Sequence, residues 1–232
     1  MSWVVVVPVK GNPGAKTRLG GPGQDRARLA DAFALDTVAA LAAAAPVLAV
    51  FVVTGDTVLG AQLARLGAHI VPEIRDQADA LNAAIVVGLA AAAAEFPTAH
   101  RAVMTGDLPA LTAADVERAF VLAAGHERSF VPDADGTGTT TLLALAGVPI
   151  SPRFGPGSRA AHESAGHVPL ALPARSGIRR DVDTPADLDR VERLGAGPHT
   201  SALFAAASAP RAVPHAVPDP VVTPSTDRPL EK

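Results

Sequence analysis

Val103-Met-Thr-Gly-Asp-Leu-Pro-Ala-Leu111 is the stretch that decides how this chain is read. The apolar run from Ala102 to Thr105 has the make-up of a strand, and Gly106 ends it. Asp107 follows at once, Pro109 lacks the N–H that a ladder needs, and Thr112 opens a helix. In an open α/β sheet the carboxyl ends of the strands line the ligand crevice. A carboxylate delivered there, beside a glycine that lets another backbone come close, is well placed to hold a metal ion. Asp107 by itself does not make a site. It needs a phosphate-binding loop upstream, and further carboxylates and a second pocket downstream.

Upstream, Trp3-Val-Val-Val-Val-Pro-Val9 is a β-branched run without alternation, as expected of a strand buried on both faces of a parallel sheet. The loop Lys10-Gly-Asn-Pro-Gly-Ala-Lys-Thr-Arg18 follows, then a helix over Arg26 to Ala45. Strand, basic glycine-bearing loop and helix form a layout that cradles phosphates, although the P-loop spacing is absent. Lys10, Lys16 and Arg18 are the candidates for holding a triphosphate. Strands are expected over Pro46 to Val53 and Ala68 to Val71, with helices over Thr57 to Leu66 and Ala80 to Glu95, the latter capped by Asp79. Thr112-Ala-Ala-Asp115 has the form of a capping box for a helix reaching Ala124.

Downstream the regular alternation breaks. Strands over Ser129 to Val131 and Thr139 to Ala144 flank the turn Asp133-Ala-Asp-Gly136. Phe154-Gly-Pro-Gly-Ser158 leads into a short helix over Arg159 to Ala165, and a strand is expected over His167 to Leu172. Asp181-Val-Asp183 runs into Thr184-Pro-Ala-Asp187, a strong helix start for a helix ending near Gly195. Seven prolines fall in the last 35 residues and periodicity is lost there. One domain is therefore expected over 1–195, with 196–232 a disordered Pro/Ala-rich tail.

Composition narrows the function classes. Net charge is −3, which gives no electrostatic footprint for nucleic acid. Without cysteine there is neither a disulfide framework nor a thiolate metal site, as suits a cytoplasmic protein. The longest apolar run, Ala83 to Ala94, is 12 residues, too short for a membrane span. The seven histidines show no metal-ligand spacing.

Three constellations carry chemistry. Asp107, Asp181 and Asp183 are candidate ligands for Mg2+, which takes one or two carboxylates together with substrate phosphates. In an extended Asp181 to Asp183 both carboxylates face one side; the competing reading makes Asp183 part of the helix cap. Lys16 and Arg18 would stabilise charge developing in phosphoryl or nucleotidyl transfer. Thr139-Thr-Thr141 with Gly155, Gly157 and Ser158 offers hydroxyls and bare amides suited to a small phosphorylated or carboxylated acid, with Ser158 at a helix N-terminus.

Together these residues resemble the 2-phospho-L-lactate/phosphoenolpyruvate guanylyltransferase family, which serves coenzyme F-420 biosynthesis. The matching pieces are Pro8-Val-Lys10, Lys16-Thr-Arg-Leu19, Leu81-Asn82, Thr105-Gly-Asp-Leu-Pro109, Gly138-Thr-Thr-Thr141, Phe154-Gly-Pro-Gly-Ser158 and Asp181-Val-Asp-Thr-Pro185. Ala80 departs from the pattern, which has glycine there. The resemblance implies a three-layer nucleotidyltransferase fold of the glycosyltransferase-A type with a central, mostly parallel sheet. GTP would be the donor and Mg2+ the cofactor, and the acceptor phosphoenolpyruvate or 2-phospho-L-lactate. The resemblance also puts the acceptor at Thr140, Gly155 and Ser158, and the nucleotide at Lys10, Lys16, Arg18, Asn82 and Gly106. The metal would bind Asp107, Asp181 and Asp183, with Lys16, Arg18 and Asp107 catalytic, and the product would pass to the next enzyme of that pathway.

Three other readings compete. A nucleotidyltransferase loading a molybdopterin cofactor needs a wide pocket with stacking surface, and aromatics are only 3% of residues here. A sugar-nucleotide glycosyltransferase needs Asp-x-Asp at the end of a middle strand, where this chain has Thr-Gly-Asp-Leu. A scaffold displaying the Pro-rich tail would need a basic-flanked PxxP.

Overall fold

The computed structural model describes residues 2–9, 19, 23–74 and 79–208. Trp3–Pro8 forms β1, buried along its whole length. It lies between two parallel neighbours, β2 (Val47–Thr54) and β4 (His100–Met104). β3 (His69–Pro72) extends the sheet beyond β2, again in parallel. On the other side β6 (Thr139–Ala144) runs antiparallel to both β4 and β5 (Arg128–Pro132), and β7 (Val168–Pro169) pairs in parallel with β5. The order is β3-β2-β1-β4-β6-β5-β7, a seven-stranded, mostly parallel sheet as expected.

The uniform apolarity of β1 follows from burial on both faces. Trp3, Val5 and Val7 pack with Val38 and Leu41 of α1 (Gly23–Ala43) and with Val116 and Phe120 of α4 (Ala113–Ala123). Val4 and Val6 pack with Ile85 and Leu89 of α3 (Ala80–Glu95) on the opposite face. The result is three layers. Each such fully buried aliphatic side chain contributes roughly 1.5–3 kcal/mol relative to exposure.

Local caps behave as the sequence implies. Asp56 caps α2 (Thr57–Arg65), and Asp79 caps α3 by accepting from the Asn82 N–H. Thr112 and Asp115 form a reciprocal capping box on α4, with Asp in the place of the usual Glu. Thr184 and Asp187 form another on α6 (Pro185–Leu194), with Pro185 at the first helical position. Asp183 is therefore not the cap.

Three expectations are corrected. α1 starts at Gly23, earlier than Arg26. The strand expected over His167 to Leu172 shrinks to two residues, since Pro169 has no N–H to give; only Leu170 continues the pairing, donating to the Phe130 carbonyl at 2.8 Å. Pro198–Ser208, expected within a disordered tail, forms α7, which packs on α1. Its first turn is capped from far away, as the Asp36 carboxylate accepts from the N–H groups of His199 and Thr200, both at 2.9 Å. Residues 209–232 lie outside the described residues.

Candidate active site

The site is built from three segments at one end of the sheet. The first is the turn after β4. Gly106 brings this turn against the end of β1: a Cβ there would lie 3.0 Å from the Val9 side chain and 3.4 Å from the Pro8 carbonyl. The backbone of the next three residues is tied from three directions. The Asp107 carbonyl accepts from Val182 N at 3.2 Å, and the Pro109 carbonyl accepts from Gly197 N at 2.8 Å. Leu108 N donates to the Thr37 hydroxyl at 3.1 Å, and that hydroxyl donates to the Phe33 carbonyl at 2.8 Å. Asp107 is thus presented on an immobilised peptide.

The second segment is Arg180 to Asp187, drawn onto the first by the Val182–Asp107 bond. Asp181 is pushed up to about 7, by burial first and then by the neighbouring Asp107 and Asp183 carboxylates. Among the described residues no group of three or more His, Asp or Glu side chains is placed to hold a metal ion. The carboxylates are close enough to repel one another, and a hard cation bridging them to substrate phosphates would relieve that repulsion. Their all-oxygen chemistry fits Mg2+ or Mn2+ bound jointly with substrate.

The third segment is the glycine loop, 154–158. Gly155 has φ 131° and Gly157 φ 72°, backbone states that side-chain-bearing residues rarely adopt. The loop returns on itself through Ser158 N donating to the Gly155 carbonyl at 3.0 Å. Gly157, not Ser158, occupies the N-cap position of α5 (Ser158–Ser164), and Ser158 is buried as its first residue. Opposite stands the β5–β6 turn, where the Asp133 carboxylate accepts from Thr137 N at 2.9 Å and Gly138 N at 2.8 Å. Arg179 secures this turn from behind by donating to the carbonyls of Pro132, Asp133 and Leu172.

A cavity of about 570 Å3 lies between these walls, and Gly155, Ser158, Thr139, Asp181 and Asp183 all line it. The structure therefore brings two of the three expected carboxylates, Asp181 and Asp183, to the same cavity as the glycine loop, while Asp107 is near enough for its charge to act on Asp181 but is not among the lining residues. Thr140, expected at the acceptor, lies beside Thr139 on β6 and is buried. Its buried hydroxyl donates to the Ile178 carbonyl at 2.6 Å, tying β6 to the 3-10 turn Gly177–Arg179 just before Asp181. Thr139 is the β6 hydroxyl beside the cavity, bonded to His162 Nδ1 at 2.9 Å. Asn82, expected at the nucleotide, has its side-chain amide engaged with the main chain of Phe154. Lys10, Lys16 and Arg18 lie outside the described residues.

Sequence reasoning passed over Thr37, Asn82 as a clamp, and His162 as a hub. His162 Nε2 accepts from Arg153 N at 3.1 Å, so its proton is on Nδ1 and points to Thr139. Burial, with help from His167 and Arg153, lowers its pKa to about 4. A buried neutral ring with both nitrogens engaged orients its neighbours and is not a free base. Of these residues, His162 lies close to the glycine loop in sequence and Asn82 stands in the Leu81-Asn82 match, whereas Thr37 had no signal.

Residues 14–179 match the MobA-like NTP transferase domain family. A phosphoenolpyruvate guanylyltransferase from Thermomonospora curvata is 48% identical over 206 residues, 88% of this chain and 90% of its own. One from Streptomyces coelicolor is 44% identical over 207 residues, 88% of this chain and 97% of its own. Among solved structures, a protein described as a nucleotide-diphospho-sugar transferase from Desulfovibrio desulfuricans G20 superposes with a TM-score of 0.66 at 19% identity, covering 89% of this chain and 95% of its own. The Mycobacterium tuberculosis protein Rv0371C, solved in complex with manganese, gives 0.50 at 22% identity, covering 83% and 97%. At those identities the structural likenesses speak to the fold alone.

Proposed function

The chain belongs to the phosphoenolpyruvate guanylyltransferases, with their MobA-like NTP transferase domain, and we propose that it moves GMP from GTP onto phosphoenolpyruvate, releasing pyrophosphate. Beyond family membership, one observation carries this reading: Asp181 and Asp183, bonded onto the Asp107 turn, share a cavity with Gly155 and Ser158. The residues proposed to bind charge and those proposed to bind the acid thus border one space.

In this reading an acceptor phosphate oxygen attacks the α-phosphorus of GTP in line. The bond from that phosphorus to the oxygen bridging to the β-phosphate breaks, and pyrophosphate leaves with the electron pair. The attacking phosphate is already ionised at neutral pH, so no general base is needed. That agrees with the nearby imidazole, His162, being buried and hydrogen-bonded at both nitrogens. Asp107, Asp181 and Asp183 would hold a divalent cation, taken as Mg2+, which when bound would neutralise charge on the triphosphate. Lys16 and Arg18 add positive charge to the same phosphates, with Lys10 and Gly106 on the nucleotide side. Thr140, Gly155 and Ser158 receive the acceptor, and the Thr140 hydroxyl also ties β6 to the turn ahead of Asp181. Catalysis is then positioning and charge neutralisation. The substrates are small and soluble, and the enzyme works in the cytoplasm.

The test is pyrophosphate release with GTP, Mg2+ and each of phosphoenolpyruvate, 2-phospho-L-lactate and 3-phosphoglycerate, with ATP and CTP as donor controls. Release with GTP and phosphoenolpyruvate is expected. Silence with all three acids in a protein that binds GTP would overturn the acceptor assignment.

A further inference from the structure

One side chain joins the start of α3 to the glycine loop. Asn82 Nδ2 donates to the Phe154 carbonyl at 3.0 Å, while Oδ1 accepts from Phe154 N at 2.9 Å. This is a two-way pairing with the N–H and C=O of a single residue, of the kind one strand makes with another. The second Nδ2 hydrogen goes to Asp79 Oδ2 at 2.7 Å, and Asp79 also accepts from Asn82 N at 3.2 Å. Asp79 therefore fixes which way the amide faces, because a flipped amide would set oxygen against both the carboxylate and the Phe154 carbonyl. From α5, His162 takes the adjacent N–H, that of Arg153, at 3.1 Å. Three successive peptide units, carrying Arg153 N–H, Phe154 N–H and the Phe154 carbonyl, are thus clamped by side chains of two different helices, directly ahead of Gly155.

The glycines themselves offer no such restraint. A Cβ at Gly155 or at Gly157 would find nothing within 4 Å. Glycines in open space have the widest backbone freedom, and ordering them on binding costs affinity. A clamp at the entrance to the loop removes much of that cost in advance.

We propose that Asn82 is a positioning residue for the acceptor loop: it holds Phe154 so that Gly155 and Ser158 are already arranged when the phosphoacid arrives, and its side chain does not read the nucleotide. The inference rests on the reading that this loop receives the acceptor. Apparent affinity scales with the fraction of loop in the competent arrangement. A loop that is competent about a tenth of the time gives an acceptor KM raised about tenfold.

The experiment compares Asn82→Ala, Asn82→Asp and Ser158→Ala in the full chain. KM is measured for GTP and for phosphoenolpyruvate, and amide hydrogen exchange is followed over 150–158. Asn82→Ala is expected to speed exchange in that segment and raise the phosphoenolpyruvate KM about tenfold, with the GTP KM within about twofold. Asn82→Asp keeps an acceptor for Phe154 N but puts a carboxylate against the Phe154 carbonyl and Asp79, so it is expected to rescue neither readout. Unchanged exchange, or a rise confined to the GTP KM, overturns the inference. Ser158→Ala separates it from the reading beneath. An acceptor KM raised by Ser158→Ala but not by Asn82→Ala overturns the inference alone; if neither variant moves it, the assignment of the acceptor to this loop falls as well.

Discussion

Val182 donates its backbone N–H to the carbonyl of Asp107 at 3.2 Å, a direct tie between two acidic segments 75 residues apart in sequence. Because the bond is made by main chain, side-chain replacement leaves the juxtaposition in place. Asp107→Asn is therefore expected to keep the fold, with a melting temperature near wild type, while kcat falls at least about a hundredfold through lost charge stabilisation. Thermal melts beside steady-state turnover at saturating Mg2+ check this, and near-normal kcat would remove Asp107 from the metal site.

Asp181 carries the cost of that juxtaposition. Its pKa rises from the ordinary 3.8 to about 7, through burial and then through Asp107 and Asp183. The folded state thus binds this proton more tightly than the unfolded chain. The stabilisation this gives is full below pH 3.8 and is lost as pH rises through about 7. At pH 8 without divalent ions, Asp181→Asn should be more stable than wild type by about 1–3 kcal/mol, while being catalytically impaired. Chemical denaturation at pH 8 with chelator reads the sign directly; a less stable variant would contradict the charge-repulsion account.

Thr37 tests how much the peptide around Asp107 must be held. Its hydroxyl accepts from Leu108 N in a fully buried setting. Thr37→Val fills the same volume but orphans that N–H, at a cost of about 1–3 kcal/mol. The expected kinetic effect is on kcat, with both KM values little changed, and Thr37→Ser is expected to restore it. Equal loss in the Ser and Val variants would mean that packing, and not the hydrogen bond, is what matters.

His162 gives the acceptor loop an acid limit. Burial lowers its pKa from 6.5 to about 4, and its Nε2 must stay unprotonated to accept from Arg153 N. Here the unfolded chain binds the proton more readily. The stabilising contribution is complete above pH 6.5 and is lost as pH falls towards 4. Denaturant midpoints measured from pH 7 to 4.5 should fall, and His162→Gln should flatten part of that slope. An unchanged slope in the variant would assign the acid sensitivity to other groups, His167 first, since burial lowers its pKa too.

Much of the framework was legible in the sequence, because its causes are local. The unbroken apolarity of Trp3 to Val9 reports burial on both faces, and the boxes Thr112/Asp115 and Thr184/Asp187 close within one turn. The carboxylates and the glycine loop were legible for the same reason, as short strings with distinctive chemistry. What escaped depends on partners far off in the chain. Asn82 meets Phe154 across 72 residues, Thr37 meets Leu108 across 71, and Asp36 caps α7 across 163. A hydrogen bond of that span leaves no periodicity to read. The proline-rich composition after Gly197 therefore hid a helix whose cap lies in α1.

The central claim is that GMP ends up joined to the phosphate of a phosphoacid. The most direct measurement is product identification by phosphorus NMR and mass after incubation with GTP, Mg2+ and phosphoenolpyruvate. A new compound is expected in which two inequivalent phosphorus nuclei are coupled through one bridging oxygen, with the mass of GMP plus phosphoenolpyruvate less water, formed in step with pyrophosphate. Free GMP with pyrophosphate and unaltered phosphoenolpyruvate would contradict it.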